Sequence, residues 1–168
     1  ALKEKDNSGL GQMVDISMLD GQIAILENAF SRYFASGEVP GPTGTRHPSA
    51  TPFQAFETQD GWIVVAIFGS DSDLWGLFCS ALNLPDLIDD DRFEDSWSRT
   101  ENVKVLEPII SKVIKTKTTE DWLQIFLPLG IACGPVNRID EVVEDPQVIA
   151  REMIQEAPHK RLGKWKFV

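Results

Sequence analysis

The residues with the strongest nucleophilic or metal-binding chemistry in this chain are two cysteines, Cys79 and Cys133, and two histidines. The cysteines are far apart in sequence, and neither a CxxC pair nor a Cys/His cluster accompanies them. We therefore expect no metal site and no disulfide framework, and two free thiols suit a reducing cytoplasm. Cys133 follows an apolar stretch and precedes Gly134-Pro135, so we interpret it as a small apolar core residue, not as a nucleophile.

The histidine of greater interest, His47, lies in the segment GEVPGPTGTRHPSATP at residues 37–52. Its glycine and proline content cannot sustain a helix or a sheet, so the segment predicts a long loop or connector. Gly41, Gly44, Arg46 and His47 could present backbone amides, a cation and an imidazole to an anionic or carbonyl substrate. The alternative is a linker that only joins two domains, and composition alone favours the linker.

The carboxylates form no pair that the sequence identifies as a general acid and base. Asp15 alternates away from the apolar side of a predicted strand. Asp71 and Asp73 stand at a predicted helix start, where negative charge complements the helix dipole. The run DDD at residues 89–91 is most simply a solvated loop. No carboxylate is therefore assigned a catalytic role.

A basic cluster near the end of the chain, KRLGKWK, stands out in an acidic protein and contains Lys160, Arg161, Lys164 and Lys166. These residues could meet the phosphates of a nucleotide cofactor, or they could protect an exposed sheet edge, which is the commoner use of lysine in such a position. The sequence contains neither a P-loop nor a GxGxxG motif, so a phosphate-cradling helix start is unsupported.

The periodicity of the apolar residues predicts a strand and a helix, followed by a separate domain. Gln12–Met18 alternates apolar and polar residues, as a half-buried strand does. Ser17 is a predicted N-cap for a long helix that Gly37 ends. Residues 52–69 are two apolar runs joined by a turn at residues 59–61, a pattern that predicts a β-hairpin.

Three further helices are predicted beyond the hairpin. They run from a Ser70/Asp73 capping box to Leu82, from about Trp97 to Lys115, and from a Thr118/Asp121 capping box to Leu129, with Gly130 as a stop. Pro108 should kink or split the second of them. A short strand over Ile131–Val136, short helices over Ile139–Val143 and Pro146–Arg151, and a hairpin over Met153–Val168 complete the order. This order predicts an α+β fold, with helices packed on a small antiparallel sheet.

The composition, with 42% apolar and 25% charged residues among 168, is that of a soluble globular protein. A formal net charge of −10 argues against a nucleic-acid partner, because phosphate backbones bind basic surfaces. No apolar run reaches the ~20 residues of a membrane span, and the polar start does not resemble a secretory leader. Both ends read as cuts through secondary structure, so we expect a piece of a larger cytoplasmic protein.

Five features follow one another along the chain: GLGQMVDISMLDGQIAILE, HPSATPFQAFETQDGWIVVAI, DDDRF, Arg99, and TTEDWLQIFLPLGIACGPVNRIDEVVEDPQVIAREMI. In this order they resemble CoA-transferase family III, of the CaiB/BaiF type, which includes formyl-CoA and carnitine-CoA transferases and the related α-methylacyl-CoA racemases. The resemblance covers nearly the whole chain, and its most specific part is GPVN followed by DPQ.

The resemblance implies that a full-length parent moves coenzyme A between carboxylic acids, with an acyl-CoA and a carboxylic acid as substrates and no metal. Its nucleophile would be an aspartate that forms aspartyl-CoA type intermediates. That aspartate would lie upstream of this chain, so the isolated chain should have no catalytic residue and no turnover. Gly41, Gly44, Arg46 and His47 hold the place of the family's glycine-rich substrate loop, and the family implies an interlocked homodimer.

The resemblance also divides the chain into three segments. Residues 1–37 would be a strand and a long helix from a large α/β nucleotide-fold domain, residues 38–52 a Gly/Pro-rich connector loop, and residues 53–168 a small α+β domain. Two alternatives stay open. One is a non-catalytic binding or assembly module from a truncated gene, and the other is part of an acyl-CoA racemase.

Overall fold

The computed structural model describes residues 1–68, 72–161 and 163–168. The chain divides into two compact units, Ala1–Pro42 and Thr43–Val168. The second unit combines packed helices with antiparallel strands, so the α+β fold class predicted for the small domain is confirmed. None of the helices within the described ranges has the length and apolarity that crossing a membrane requires.

The N-terminal unit consists of helices α1 (Leu2–Ser8), α2 (Met18–Ile25) and α3 (Glu27–Ser36). Ser17 caps α2 as predicted, because its Oγ accepts a hydrogen bond from the backbone N–H of Asp20 at 3.4 Å. The predicted long helix is interrupted at Leu26, whose backbone at φ −90° and ψ 15° leaves the helical region. Helix α3 then ends at Gly37, which adopts the left-handed conformation typical of a helix stop, with φ 75°.

The strand predicted over Gln12–Met18 is not formed, since residues 10–17 carry no regular secondary structure. Val14, Ile16 and Met18 are 60%, 84% and 87% exposed. A strand needs a neighbouring strand to bond its backbone N–H and C=O groups, and the N-terminal unit, all of whose residues are described, contains no strand. The apolar residues alternate as they would in a strand, but the N-terminal unit contains no second strand with which this segment could pair.

The second unit is built on a three-stranded antiparallel sheet with strands β1 (Phe53–Glu57), β2 (Trp62–Ala66) and β3 (Ala132–Pro135), in that order. Strands β1 and β2 form the predicted hairpin, with Phe53 opposite Ala66. The short strand predicted over Ile131–Val136 is also confirmed, since β3 pairs with β2. The sheet therefore joins the start of this unit to a segment about seventy residues further along the chain.

Helices α4 (Ser72–Ala81), α5 (Ser96–Glu101), α6 (Val103–Ile114) and α7 (Thr119–Phe126) belong to the same unit, with 3₁₀ turns at Pro85–Leu87, Asp91–Phe93 and Leu127–Leu129. Apolar side chains from these helices and from β1 and β2 form the core, among them Phe56, Ile63, Val65, Phe78, Leu106, Ile110, Trp122 and Phe126. The capping box predicted at Thr118 and Asp121 is formed. The box predicted at Ser70 lies outside the described residues.

The predicted break of the helix between Trp97 and Lys115 occurs, but not at Pro108. It lies at Asn102, whose φ of −96° and ψ of 16° separate α5 from α6. The Asn102 side-chain amide donates to the carbonyl of Ser98 at 2.9 Å, which stabilises the end of α5. Helix α6 continues through Pro108, although a proline cannot donate the helical hydrogen bond of its turn.

The last part of the chain contains helices α8 (Ile139–Val142) and α9 (Pro146–Ala150) and a hairpin of β4 (Gln155–His159) and β5 (Gly163–Phe167). These elements were all predicted. Asp145 caps α9, because its Oδ1 accepts from the backbone N–H groups of Gln147 and Val148 at 2.8 and 3.1 Å.

Candidate functional site

The residues Thr43–Pro52, called the His47 loop below, are held to the second unit by backbone hydrogen bonds. The N–H of His47 donates to the carbonyl of Phe53 at 2.8 Å. The N–H of Ile67 donates to the carbonyl of Pro52, also at 2.8 Å. The loop is therefore fixed at its centre and at its end, and it presents its side chains from defined positions.

The His47 loop begins with a turn that contains two of its predicted site residues, Gly44 and Arg46. The N–H of Arg46 donates to the carbonyl of Thr43 at 3.3 Å, and the Thr43 hydroxyl donates to the carbonyl of Arg46 at 2.9 Å. Gly44 has a φ of 67°, a left-handed value that glycine adopts without a steric cost. The Arg46 guanidinium pairs with Glu107 Oε2 at 3.3 Å, so part of its charge is already compensated within the unit.

His47 is the best-defined side chain of the loop. Its ring stacks on the ring of Phe53, with centroids 4.9 Å apart and planes inclined by 8°. Phe53 in turn meets Phe68 edge to face, at 4.9 Å and 72°. The Nδ1 atom of His47 accepts a hydrogen bond from the backbone N–H of Ser49 at 3.3 Å. Two independent contacts thus set the plane and the rotation of the imidazole.

Gly41 is the predicted site residue that the structure does not bring into this loop. It belongs to the N-terminal unit, whereas Gly44, Arg46 and His47 belong to the second. Within its own unit Gly41 lines an apolar depression of about 490 Å³ together with Leu26, Ala29, Phe30, Tyr33, Val39 and Pro40. The structure therefore groups three of the four candidates.

Arg99 is a residue whose role in this loop was missed by sequence reasoning. It is 1% exposed, and its Nε donates to the carbonyl of Thr51 at 2.8 Å. Its Nη1 donates to the carbonyl of Phe93 at 3.0 Å, and the guanidinium lies 4.7 Å from the centre of the Trp75 ring. Burial lowers the pKa of Arg99, and the Asp95 carboxylate opposes that shift. Arg99 thus fixes the buried end of the His47 loop.

Cys79 belongs to the apolar core, and Cys133 packs against that core. Cys79 is fully buried in α4, and burial raises the pKa of its thiol to about 12. Cys133 is half-buried in β3, where burial also raises the pKa of its thiol. A nucleophilic cysteine needs a lowered pKa and access to substrate. Neither thiol has that environment.

The carboxylate of Asp60 accepts three hydrogen bonds, and they join the β1–β2 turn to α7. Its Oδ1 accepts from the N–H and the hydroxyl of Thr119 at 2.8 and 3.2 Å and from the hydroxyl of Thr58 at 3.1 Å. The pKa of Asp60 is lowered, chiefly by the Thr119 backbone N–H. In the part of the chain that the structure describes, no three His, Cys, Asp or Glu residues approach as a metal site would require.

The GPVN motif lines a groove of about 500 Å³ beside this turn. Trp62, Asn137 and Arg138 contribute to its wall. The Arg138 guanidinium forms two hydrogen bonds with the carboxylate of Asp140, at 2.9 and 3.0 Å. Pro135 of the motif ends β3, where it lies opposite Ile63 of β2.

The basic cluster lies on the β4–β5 hairpin, both of whose strands are sheet edges. Lys164 and Lys166 alternate with Trp165 and Phe167, so lysines and aromatic side chains lie on opposite faces of β5. Lys164 pairs with Glu156 at 3.4 Å. This arrangement fits lysines that protect an edge, and it separates the lysines from the rings that could stack on a nucleotide base.

Comparison with known proteins gives a consistent picture. The family model of CoA-transferase family III matches residues 1–168. The chain is 32% identical over 163 residues to the succinyl-CoA:glutarate CoA-transferase of Homo sapiens, covering 97% of this chain and 37% of that protein. It is 32% identical over 154 residues to the acetyl-CoA:oxalate CoA-transferase of Acetobacter aceti, covering 92% of this chain and 39% of that protein.

A solved structure shares the fold. A CaiB/BaiF family protein from Brucella suis superimposes with a TM-score of 0.76 and 28% sequence identity, covering 92% of this chain and 40% of that one. The chain thus spans about two fifths of the length of the relatives that it matches.

Proposed function

Because the chain belongs to CoA-transferase family III, we propose that it forms the small-domain portion of an enzyme that moves coenzyme A between carboxylic acids. The observation that carries this proposal is the match of 97% of the chain to a succinyl-CoA:glutarate CoA-transferase. The proposed donor is an acyl-CoA such as succinyl-CoA, and the proposed acceptor is a dicarboxylate such as glutarate. No metal is required.

In the proposed enzyme, this chain supplies the substrate loop, and a domain outside the chain supplies the nucleophile. The nucleophile is an aspartate beyond the chain, which forms an aspartyl-CoA type intermediate. Residues 1–37 belong to the large domain, residues 38–52 connect the domains, and residues 53–168 form the small domain. Gly41, Gly44, Arg46 and His47 contribute to the substrate loop. Burial raises the pKa of the thiols of Cys79 and Cys133, which supports a nucleophile of another kind.

We also propose that the full-length enzyme is a cytoplasmic homodimer. The exposed apolar side chains of the N-terminal unit support an extensive interface, since Leu19, Ile25 and Phe34 are 67%, 73% and 77% exposed. Large exposed apolar patches commonly mark surfaces that other parts of a protein cover. Light scattering of the full-length protein tests this assembly.

The activity is tested with succinyl-CoA and glutarate, by following glutaryl-CoA with mass-resolved chromatography. A longer protein that contains this chain and the proposed upstream domain is expected to form glutaryl-CoA, and the chain alone is expected to form none. Exchange by the chain alone, or a CoA or acyl group covalently attached to it, would show that the nucleophile lies within the 168 residues. Absence of exchange with any carboxylate acceptor in the longer protein would refute the transferase proposal.

The racemase alternative is separated by a second measurement. A racemase exchanges the α-proton of a branched acyl-CoA with solvent deuterium and needs no carboxylate acceptor. The proposed transferase forms no new CoA thioester unless a carboxylate acceptor is present. Incorporation of deuterium without an acceptor would therefore favour the racemase.

A further inference from the structure

The imidazole of His47 has one nitrogen fixed by the protein and the other left available. Its Nδ1 accepts from the Ser49 N–H at 3.3 Å. Within the described residues, its Nε2 has no hydrogen-bond partner. A backbone N–H can donate only to an unprotonated ring nitrogen, so the neutral ring carries its proton on Nε2. The loop therefore selects one tautomer of this histidine.

The direction of the ring is selected as well. The stacking of His47 on Phe53, with planes only 8° apart, defines the plane in which the Nε2–H bond lies. Phe53 stands in β1 and is held from its edge by Phe68. The His47 backbone N–H also bonds to the carbonyl of the same Phe53. One strand residue thus positions both the backbone and the ring of the histidine.

The neighbouring cation, Arg46, is already partly committed to other groups of the same unit. The Arg46 guanidinium donates to Glu107 at 3.3 Å and to the carbonyl of Thr43 at 3.2 Å. An incoming anion would share the Arg46 guanidinium with the Glu107 carboxylate. It would meet no such competitor at His47 Nε2.

We propose that His47 donates its Nε2–H to an oxygen of the carboxylate or acyl group that is transferred, and that Phe53 and the Ser49 amide are the positioning groups for this bond. This inference rests on the proposed function and adds a specific donor to it. The ligand class follows from the chemistry of the atom, because a neutral imidazole N–H recognises an oxygen lone pair and carries no charge of its own. A fixed donor saves the ordering cost that a mobile side chain would incur on binding.

Three substitutions at position 47 test which nitrogen matters. In His47→Gln the side-chain amide N–H can reach the place of Nε2, whereas in His47→Asn it reaches only the place of Nδ1. His47→Ala removes both. We expect kcat/KM for glutarate in the longer protein to fall by about ten- to a hundredfold in the Ala and Asn variants, the scale of one hydrogen bond to a charged acceptor. The Gln variant should retain most of the activity.

Equal losses in the Gln and Asn variants would overturn the assignment of the donor, and an unchanged rate in the Ala variant would overturn any contact with substrate. The unsubstituted longer protein is the control for the parent proposal. If it transfers no CoA, the proposed function fails, and the next measurement still decides the geometry of His47.

The tautomer is measured on the 168-residue chain itself by long-range ¹H–¹⁵N correlation of the histidine rings. His47 is expected to show a protonated Nε2 and an unprotonated Nδ1 at a pH where the ring is neutral. Phe53→Leu removes the stacked ring, so His47 should then show a mixture of the two tautomers. The far-ultraviolet circular dichroism of this variant should stay unchanged. A protonated Nδ1 in the unsubstituted chain would refute the proposal.

Discussion

The two units of this chain use the same kind of apolar pattern with opposite results. In the second unit the apolar stripes of α6 and α7 are buried, and Leu106, Ile110 and Phe126 are almost inaccessible to solvent. In the N-terminal unit none of the three helices has a buried residue. Periodicity therefore indicates which face of a helix is apolar, but only a partner surface turns that face into a core.

The aromatic residues make this contrast concrete. In α3, Phe34 lies 6.0 Å from Phe30 and 5.8 Å from Tyr33, yet it is 77% exposed. In α7, Phe126 stacks on Trp122 at 5.0 Å and contacts Phe78 at 5.5 Å, and it is fully buried. Both phenylalanines have ring neighbours at similar distances. The difference in burial decides how much each contributes to stability.

The largest effect is expected when the two phenylalanines are each replaced by alanine. Phe126→Ala should lower the free energy of unfolding by about 3 to 5 kcal/mol, because it removes buried apolar surface and leaves a cavity. Phe34→Ala should change it by less than about 0.5 kcal/mol, as expected for an exposed position. Urea unfolding of the 168-residue chain, followed by far-ultraviolet circular dichroism, which reports the helices of both units, compares them. Similar losses in both variants would mean that α3 is packed as tightly as α7.

A smaller loss of unfolding free energy is expected for Arg99→Ala. This variant tests the hydrogen bonds that anchor the His47 loop and leaves the apolar side chains of the core in place. The variant leaves the buried carbonyls of Thr51 and Phe93 without their donor, at a cost of about 2 to 4 kcal/mol. Arg92→Ala is the matched control, because Arg92 is exposed, and its guanidinium pairs with nearby Asp90 and lies 5.1 Å from the centre of the Phe93 ring. Equal unfolding midpoints for the two variants would contradict a structural role for the buried guanidinium.

Locally encoded features were predicted well from the sequence. The β1–β2 hairpin follows from alternation on both sides of a short turn, and both signals lie within fifteen residues. The capping box at Thr118 and the stop at Gly37 likewise depend on residues one turn apart. Such features need no knowledge of the rest of the fold.

Two other features depend on distant partners and were not predicted. The strand expected over Gln12–Met18 has the right alternation but no neighbour within its unit. Arg99 reads as an ordinary charged residue, and its burial depends on the Thr51 carbonyl forty-eight positions away. The candidate site shows the same limit. Composition identified His47 as a loop residue, but its fixed tautomer depends on the fold of the loop back onto Phe53.

The smallest effect is expected at Asp60, and it tests whether the turn that the sequence predicted is also held by a charge. The pKa of Asp60 is lowered in the folded chain, mainly by the Thr119 backbone N–H, from a usual value of 3.8. A lowered folded-state pKa stabilises the fold above the unfolded-state pKa, and that stabilisation is lost as the pH falls through the folded-state value. Asp60→Asn should therefore lower the urea midpoint at neutral pH, and its difference from the unsubstituted chain should shrink below pH 3.8.

The matched control for this pH dependence is Asp86→Asn, because the Asp86 side chain makes no hydrogen bond within the residues that the structure describes. Its midpoint should follow that of the unsubstituted chain at every pH. If Asp60→Asn shows a difference that is constant with pH, then the threonine hydroxyls and not the carboxylate charge hold the turn. In that case the link between the β1–β2 hairpin and α7 would depend on shape and on hydrogen bonds that a neutral amide oxygen also accepts, such as the one from the Thr119 backbone N–H.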